Sequence, residues 1–394
     1  MHQFLEEAKA LEAEIIANRR YLHEHPECGF DLENTCRFVM ERLTEYGYEP
    51  KMICRSGIVA TVGRPGKTIM LRADMDALPM EEETDLPFRS KEKRAHTCGH
   101  DTHTAMLLGA AKILKQHEAE LNGTVKLMFQ PDEEGTSPTG ISGGDVMLEA
   151  GVLENPKVDA VMSLHIMSGS YPSGSINIRK GPMMSSSDTF EITVQGSGTH
   201  GSQPNLGVDP INVAVHIYEG LQNLIARELA PEEQACLTVG SFQSGDAANI
   251  IPDEAKITGT IRTTHENTRT AFKDRIREIS EHCAAGFRAK ADVKFMHGIP
   301  SVYNDPKLTE ELIAYTEDMM EYPCEILEYP MSGSDDLSVI SQNVPTAYFM
   351  LGSGTAEEGY LYPHHNPHIL FNEEVFYKGT AMYVNAAIEW LKNH

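Results

Sequence analysis

A chain of 394 residues exceeds the size at which one hydrophobic core usually keeps growing, so two domains are expected. Its 33 Lys+Arg against 58 Asp+Glu leave a formal charge of -25, a field that repels nucleic acid and anionic membrane surfaces and argues against both as partners. Seven dispersed Cys of no repeated spacing argue against a disulfide framework and for a reducing compartment, and no run approaches the ~20 apolar residues that crossing a bilayer needs.

The opening stretch MHQFLEEAKALEAEIIANRRYLHEHPE alternates charged and apolar residues at helical spacing and lacks the unbroken apolar core of a signal peptide. A soluble, cytoplasmic protein is therefore expected. Residues 4–48 read as two amphipathic helices, separated at HEHPECGF by Pro26 and Gly29. The period then changes: short apolar runs at 57–62, 68–73, 124–130 and 160–165 read as buried strands, with a helix over 102–116 between two of them. This alternation predicts an α/β fold whose mixed sheet is sandwiched by helices.

A second rhythm begins after Lys180. Strand 189–195, helix 209–228, strands 235–243 and 255–263, helix 266–287 and strand 291–296 follow in the order β-α-β-β-α-β, the ferredoxin-like arrangement. Helix, strand and helix then resume at 308–320, 344–351 and 373–391. The reading is a discontinuous first domain, 1–182 and 298–394, interrupted by an inserted ferredoxin-like domain, 183–297.

The residues able to do chemistry cluster at predicted strand ends. In His96-Thr-Cys98-Gly-His100-Asp101-Thr-His103, Cys98 and His100 stand two apart, so on an extended segment both would face one metal site. A thiolate with an imidazole favours a borderline or soft transition metal over Mg or Ca. Gln130-Pro-Asp-Glu133-Glu134-Gly follows the run KLMFQ, and its adjacent carboxylates point differently, so one can bind metal while the other handles protons. His165 ends AVMSLH, Asp74 and Asp76 follow another strand, and His364, His365 and His368 share a Pro-rich loop. Singly, each has a bland alternative: a core Cys, an acidic turn, a hydrogen-bonded His, a polar strand cap. Together they place Cys/His, Glu/Glu, His and Asp/Asp on one sheet edge, which is how a two-metal hydrolytic site is assembled.

In order along nearly the whole chain, RRYLHEHPE, SGIVATVG, LRADMDALPM, HTCGHDTHTAMLLGAA, FQPDEEG, SLH, GSGTHGSQPNLGVDP, NIIPD, GTIRT and HHNP resemble the aminoacylase, hippurate hydrolase and indoleacetyl-amino-acid hydrolase branch of the dinuclear metallopeptidase and amidohydrolase superfamily. The resemblance implies two divalent transition-metal ions (Zn, Mn, Co or Ni) held by Cys98, His100, Glu134, His165 and His365, with His100 as the bridge. It implies Glu133 as general base and acid, and Asp76 as the acid that orients the site from behind. It further implies that the insert serves as a dimerisation or lid domain, that His200 reaches the active site of a partner subunit in a homodimer or higher homo-oligomer, and that Asn249 and Arg262 bind substrate.

The implied activity is metal-dependent hydrolysis of N-acyl-L-amino acids, a small-molecule substrate class, to a carboxylic acid and a free amino acid. A donor such as His200 would help stabilise the oxyanion, and the planar fork of Arg262 suits the amino acid's carboxylate. The competing readings are a metal carboxypeptidase or dipeptidase, a deacetylase of the N-acetyl-diaminopimelate type, and a non-catalytic binding protein on the same fold. The chain departs from the family pattern at Ala95, in the Ser/Thr/Pro-rich loop GTSPTGISGGD after Glu134, and at Ser334-Asp335-Asp336-Leu337. None of these removes a ligand, but loops beside a site set its specificity.

Overall fold

The computed structural model describes residues 2–138, 140–296 and 298–394. In chain order it begins with α1 (Gln3–Ala10), α2 (Glu12–Glu24), α3 (Glu33–Glu45), β1 (Lys51–Met52), β2 (Ile58–Gly63), β3 (Thr68–Asp74), α4 (His100–Gln116), β4 (Thr124–Gln130), α5 (Gly143–Glu149), β5 (Ala160–Tyr171), β6 (Ile176–Ile178) and β7 (Gly181–Met184). There follow β8 (Asp188–Gln195), β9 (Thr199–His200), α6 (Pro210–Asn223), β10 (Ala235–Ser244), β11 (Ile250–Ile251), β12 (Glu254–Thr263), α7 (Glu266–Gly286) and β13 (Lys290–Phe295). The chain closes with β14 (Val302–Asn304), α8 (Pro306–Met320), β15 (Glu325–Ile326), α9 (Leu337–Ser341), β16 (Thr346–Thr355) and α10 (Phe376–Asn393).

Two compact units result, one of Met1–Met183, Tyr303–Tyr329 and Val339–His394, the other of Met184–Val302 and Pro330–Ser338. The first is built on an eight-stranded sheet of order β1-β2-β4-β3-β5-β16-β6-β15. Neighbours β4, β3, β5 and β16 are parallel, whereas β2 on β4 and β6 on β16 are antiparallel. Every residue of β3 is buried, as expected of a parallel strand covered on both faces. Leu71, Leu127, Met162 and Phe349 from the sheet share one apolar core with Leu107, Leu114, Phe376 and Tyr383 from α4 and α10.

The second unit carries an antiparallel sheet of order β10-β12-β8-β13. Together with α6 and α7 this is the ferredoxin-like order. Burial alternates along β8 and β12: Phe190, Ile192, Ile257 and Ile261 pack with Val213, Ile217, Phe272 and Ile276 of the two helices, which leaves the other sheet face polar.

The elements differ from the sequence reading where tertiary contacts outweigh local pattern. The N-terminal stretch forms three helices instead of two, because Leu11 steps out of helical geometry (φ -91, ψ 0) with neither Pro nor Gly to mark the break. Strand β5 runs on past His165 to Tyr171, where the long parallel partner β16 supports it. Helix α5 is too short to show a period; Ser142 caps it by accepting from Asp145 N at 3.2 Å. It ends the Ser/Thr/Pro-rich loop, whose position 139 lies outside the described residues.

Arg72, in mid-sheet on β3, is fully buried and donates to Asp74 at 2.7 Å and to Gln130 at 3.0 Å. Removing one partner of a buried ion pair leaves the other charge uncompensated, at roughly 3–5 kcal/mol. Arg72→Met should therefore lower the stability of the metal-free protein by that order in denaturant titration; a change within about 0.5 kcal/mol, as at an ordinary surface position, would contradict the assignment.

Candidate metal centre

The parallel run of β3, β4 and β5 delivers three segments to one sheet edge, the place where α/β folds hold ligands. Asp74 lies level with Gln130 across β3 and β4, and His165 level with Met350 across β5 and β16. Asp76, Glu133 and Glu134 leave from the same edge.

Asp76 organises this edge. Its buried carboxylate accepts the backbone N–H of Glu133 on one oxygen and that of Glu134 on the other, both at 3.1 Å. His100 Nδ1 lies 2.9 Å from the Asp76 carbonyl and 3.3 Å from its carboxylate. With two acceptors facing it, Nδ1 carries the proton, so the lone pair is on Nε2. Nε2 is buried without a hydrogen-bond partner, 3.7 Å from Glu133 Oε2 and 3.9 Å from Glu134 Oε1. Burial pushes the Asp76 carboxyl up and Glu134 adds to this, against the pull of His100.

The other imidazoles are sorted by the partners of their ring nitrogens. His165 donates from Nδ1 to the Ile166 carbonyl at 2.5 Å, which frees Nε2, 3.5 Å from Cys98 Sγ. His103 donates from Nδ1 to Asp74 at 2.5 Å, and its Nε2 accepts the Ile166 N–H at 2.8 Å. His364 accepts the Ser168 N–H on Nε2 at 3.2 Å. The lone pairs of His103 and His364 are thus given to the backbone of β5, whereas that of His165 faces the Cys98 thiol and that of His100 has no partner. His365 places Nε2 3.4 Å from Glu134 Oε1, and its φ of 63 is a left-handed conformation that costs a non-glycine residue energy.

The ligand atoms of Cys98, His100 and Glu134 lie within 4.8 Å of one another, as do those of Cys98, His165 and His364, and those of His100, His103 and His165. Cys98 is common to the first two groups. The resemblance implied His100 as the bridge; with Nδ1 committed to Asp76, one lone pair, on Nε2, is left to this imidazole. Cys98 and His100 do not converge as alternate residues of an extended segment. Gly99 takes φ 91 and α4 starts at His100 itself, so a tight left-handed turn turns both side chains inward. A Cβ on Gly99 would come within 2.4 Å of Ile166 Cγ2.

Burial, reinforced by Glu134, pushes the Cys98 thiol well above its ordinary value. Burial works against the charge of Asp74 too, but His100, Arg72 and His103 outweigh it and hold that carboxyl well below the usual range. A half-buried thiol, imidazole lone pairs and a carboxylate are the donor set of a borderline transition metal, and the unpartnered Nε2 of His100 is what such an ion would satisfy. Glu133 belongs to neither of the Cys98 groups.

The remaining sequence candidates lie in the second unit. His200 ends β9, pairs with Ile250 of β11 and is exposed. Asn249 lies beside it, its carbonyl accepting the Gly201 N–H at 2.8 Å. Arg262, on β12, donates to Ser334 Oγ at 3.3 Å. The sequence reading missed the Arg72–Asp74–His103 chain, although Asp74 and His103 both stand inside motifs it quoted; the signal was a buried strand carrying Arg.

An α/β sheet whose strand ends gather a thiol, imidazoles and paired carboxylates defines a metal-centred hydrolase. The comparisons agree: the model of Peptidase family M20/M25/M40 matches residues 70–389. The chain is 38% identical over 394 residues to thermostable carboxypeptidase 1 of Saccharolobus solfataricus, covering 98% of this chain and 97% of that one. It is 35% identical over 387 residues to the N-acetylcysteine deacetylase of Bacillus subtilis, at 96% and 97% coverage. Among solved structures it superposes with a TM-score of 0.84 and 33% identity on the Bacillus subtilis YXEP protein, a dinuclear metal-binding peptidase of the M20 family, covering 98% of this chain and 99% of that one. The chain belongs to Peptidase family M20/M25/M40 and is a hydrolase with amidohydrolase relatives.

Because the Cys98 thiol must lose its proton to bind a cation, metal uptake should release protons and tighten as pH rises. Titrating cobalt into chelated protein in weak buffer checks this. Cys98→Ala should release fewer protons and bind less metal; full stoichiometry in that variant would remove Cys98 from the ligand set.

Proposed function

We propose that this protein hydrolyses N-acyl-L-amino acids to a carboxylic acid and a free amino acid, at two divalent ions held by Cys98, His100, Glu134, His165 and His365. The observation that carries the reading is the group of Cys98, His100 and Glu134, whose ligand atoms lie within 4.8 Å of one another, with the Glu133 carboxylate 3.7 Å from the unpartnered His100 Nε2. Bound divalent ions would lower the pKa of a water towards neutrality and polarise the amide carbonyl.

The chain's own residues supply the rest. Glu133 takes a proton from the water that attacks the amide carbon. When the C–N bond breaks, it gives that proton to the departing nitrogen, leaving a carboxylate and an amine. A carboxylate suits both steps, since an obligate cation such as Arg cannot accept a proton. Asp76 fixes the backbone of Glu133 and Glu134 and the tautomer of His100. His200 is assigned to the oxyanion, and Asn249 and Arg262 to the amino acid portion, Arg262 because its fork matches a carboxylate in two places.

The names of the relatives support amide cleavage beside an amino acid in both directions: a deacetylase and a carboxypeptidase. A carboxypeptidase substrate is also an N-acylated amino acid, so the two readings differ only in the acyl side. We assign the native assembly as a homodimer formed through the second unit, where Val215 and Tyr218 of α6 and Phe242 of the edge strand β10 are exposed large apolar residues around one cavity. Seven free cysteines fit a reducing cytoplasm. Among the described residues, no helix is long and apolar enough to cross a membrane.

Glu133→Gln should keep its metal but lose kcat by about 10²–10⁴-fold, the usual worth of a general base. Assay on N-acetyl and N-benzoyl amino acids beside free dipeptides tests both base and substrate class. Undiminished turnover would remove Glu133 as proton carrier, and cleavage of dipeptides alone would favour the peptidase reading. Tyr218→Glu should convert a dimer to a monomer in analytical ultracentrifugation; a wild-type monomer would refute the assembly.

A further inference from the structure

The motif RRYLHEHPE supplies no atom to the metal centre, yet Arg19 and His23, both on α2, are 1% and 3% exposed. Arg19 Nε donates to Asp101 Oδ2 at 2.8 Å, and Nη1 reaches Glu373 at 3.3 Å. His23 puts Nδ1 2.8 Å from the same Asp101 oxygen and Nε2 3.1 Å from Glu82 Oε1. Glu82 is itself fixed by the Ser90 N–H at 2.7 Å and the Thr84 hydroxyl at 2.5 Å. The imidazole thus has a carboxylate at each nitrogen, with Arg19 Nη2 also 3.2 Å from Nδ1. Burial and Arg19 push its pKa down, but Asp101 and Glu82 outweigh them and hold it above the ordinary value.

Two cations and two carboxylates buried together are a poor means of adding stability, since desolvation consumes much of the Coulomb gain. What they give is fixed geometry. Asp101 directly follows His100 in the first turn of α4, and the turn before it is closed by Gly99 against Ile166 and Phe371. Rotation of that turn would carry His100 Nε2 away from Cys98 and Glu134.

We infer that Arg19 and His23 are positioning residues of the metal centre: by gripping Asp101 they set the rotation of the first turn of α4 and so the aim of His100. The inference rests on the proposed role of Cys98 and His100 as ligands. It assigns to an otherwise unused N-terminal motif a part in metal affinity without contact with metal or substrate.

Cobalt titration of the chelated full-length protein, competed with a chelator and followed by the thiolate-to-cobalt absorption band, tests it beside kcat and KM. Arg19→Met and His23→Gln should weaken cobalt binding about 10-fold or more, the range seen when outer-shell partners are lost. They should also change the band and lower kcat with little change in KM. Glu82→Gln, which keeps shape and hydrogen bonding, should do the same more mildly and carries the test if Arg19→Met fails to fold. A folded Arg19→Met or His23→Gln with wild-type cobalt affinity and spectrum would overturn the inference, even if its melting temperature falls. Absence of the thiolate band in the wild type would instead overturn the ligand reading beneath it.

Discussion

One buried carboxylate ties the candidate centre together. Asp76 has two oxygens and a backbone carbonyl, and all three are spent on the site: two hold the peptide N–H groups of consecutive glutamates, and the carbonyl with one oxygen holds His100 Nδ1. An unpaired charge so far from water would be costly. Here each demand of the carboxylate is met by a group that must be fixed for chemistry to occur. The loop after β4 cannot shift without stripping Asp76 of donors, and His100 cannot flip without losing both acceptors.

The second constraint is the allocation of imidazole lone pairs. The ring nitrogens of His103 group with those of His100 and His165, and those of His364 with Cys98 and His165, so proximity alone does not separate them from His100 and His165. The backbone does. Ile166 and Ser168 on β5 offer N–H groups to His103 and His364, while His165 turns its donor to a carbonyl of the same strand. Thus β5, which runs beyond the length its apolar pattern suggested, both carries a proposed ligand and occupies the lone pairs of two neighbouring imidazoles. Arg72 and Asp74 complete the arrangement from within the sheet, with Asp74 keeping His103 in its tautomer.

Much of this was legible in the sequence because residue type and strand position are local properties. The run TVKLMFQ is apolar and bounded, and its strand is Thr124–Gln130; DEEG after it had to fall at the strand's end. The β-α-β-β-α-β rhythm was equally plain, since α6, α7 and their strands each show a period. What was not legible depends on contacts distant in sequence. No local feature marks the helix break at Leu11, and nothing in HTCGHDTH says that the segment is a left-handed turn into a helix rather than a strand. The alternate spacing therefore brought Cys98 and His100 together through a geometry that the segment does not have. Which imidazole nitrogen is free is a tertiary fact.

The most direct measurement is a crystal structure of the cobalt- or zinc-loaded protein with anomalous data at the metal edge. The account predicts two peaks in the first unit, with Cys98 Sγ common to both, His100 and Glu134 beside one, His165 beside the other, and His103 still bonded to the Ile166 amide. A centre that His103 ligates, or metal peaks away from Cys98, would contradict it.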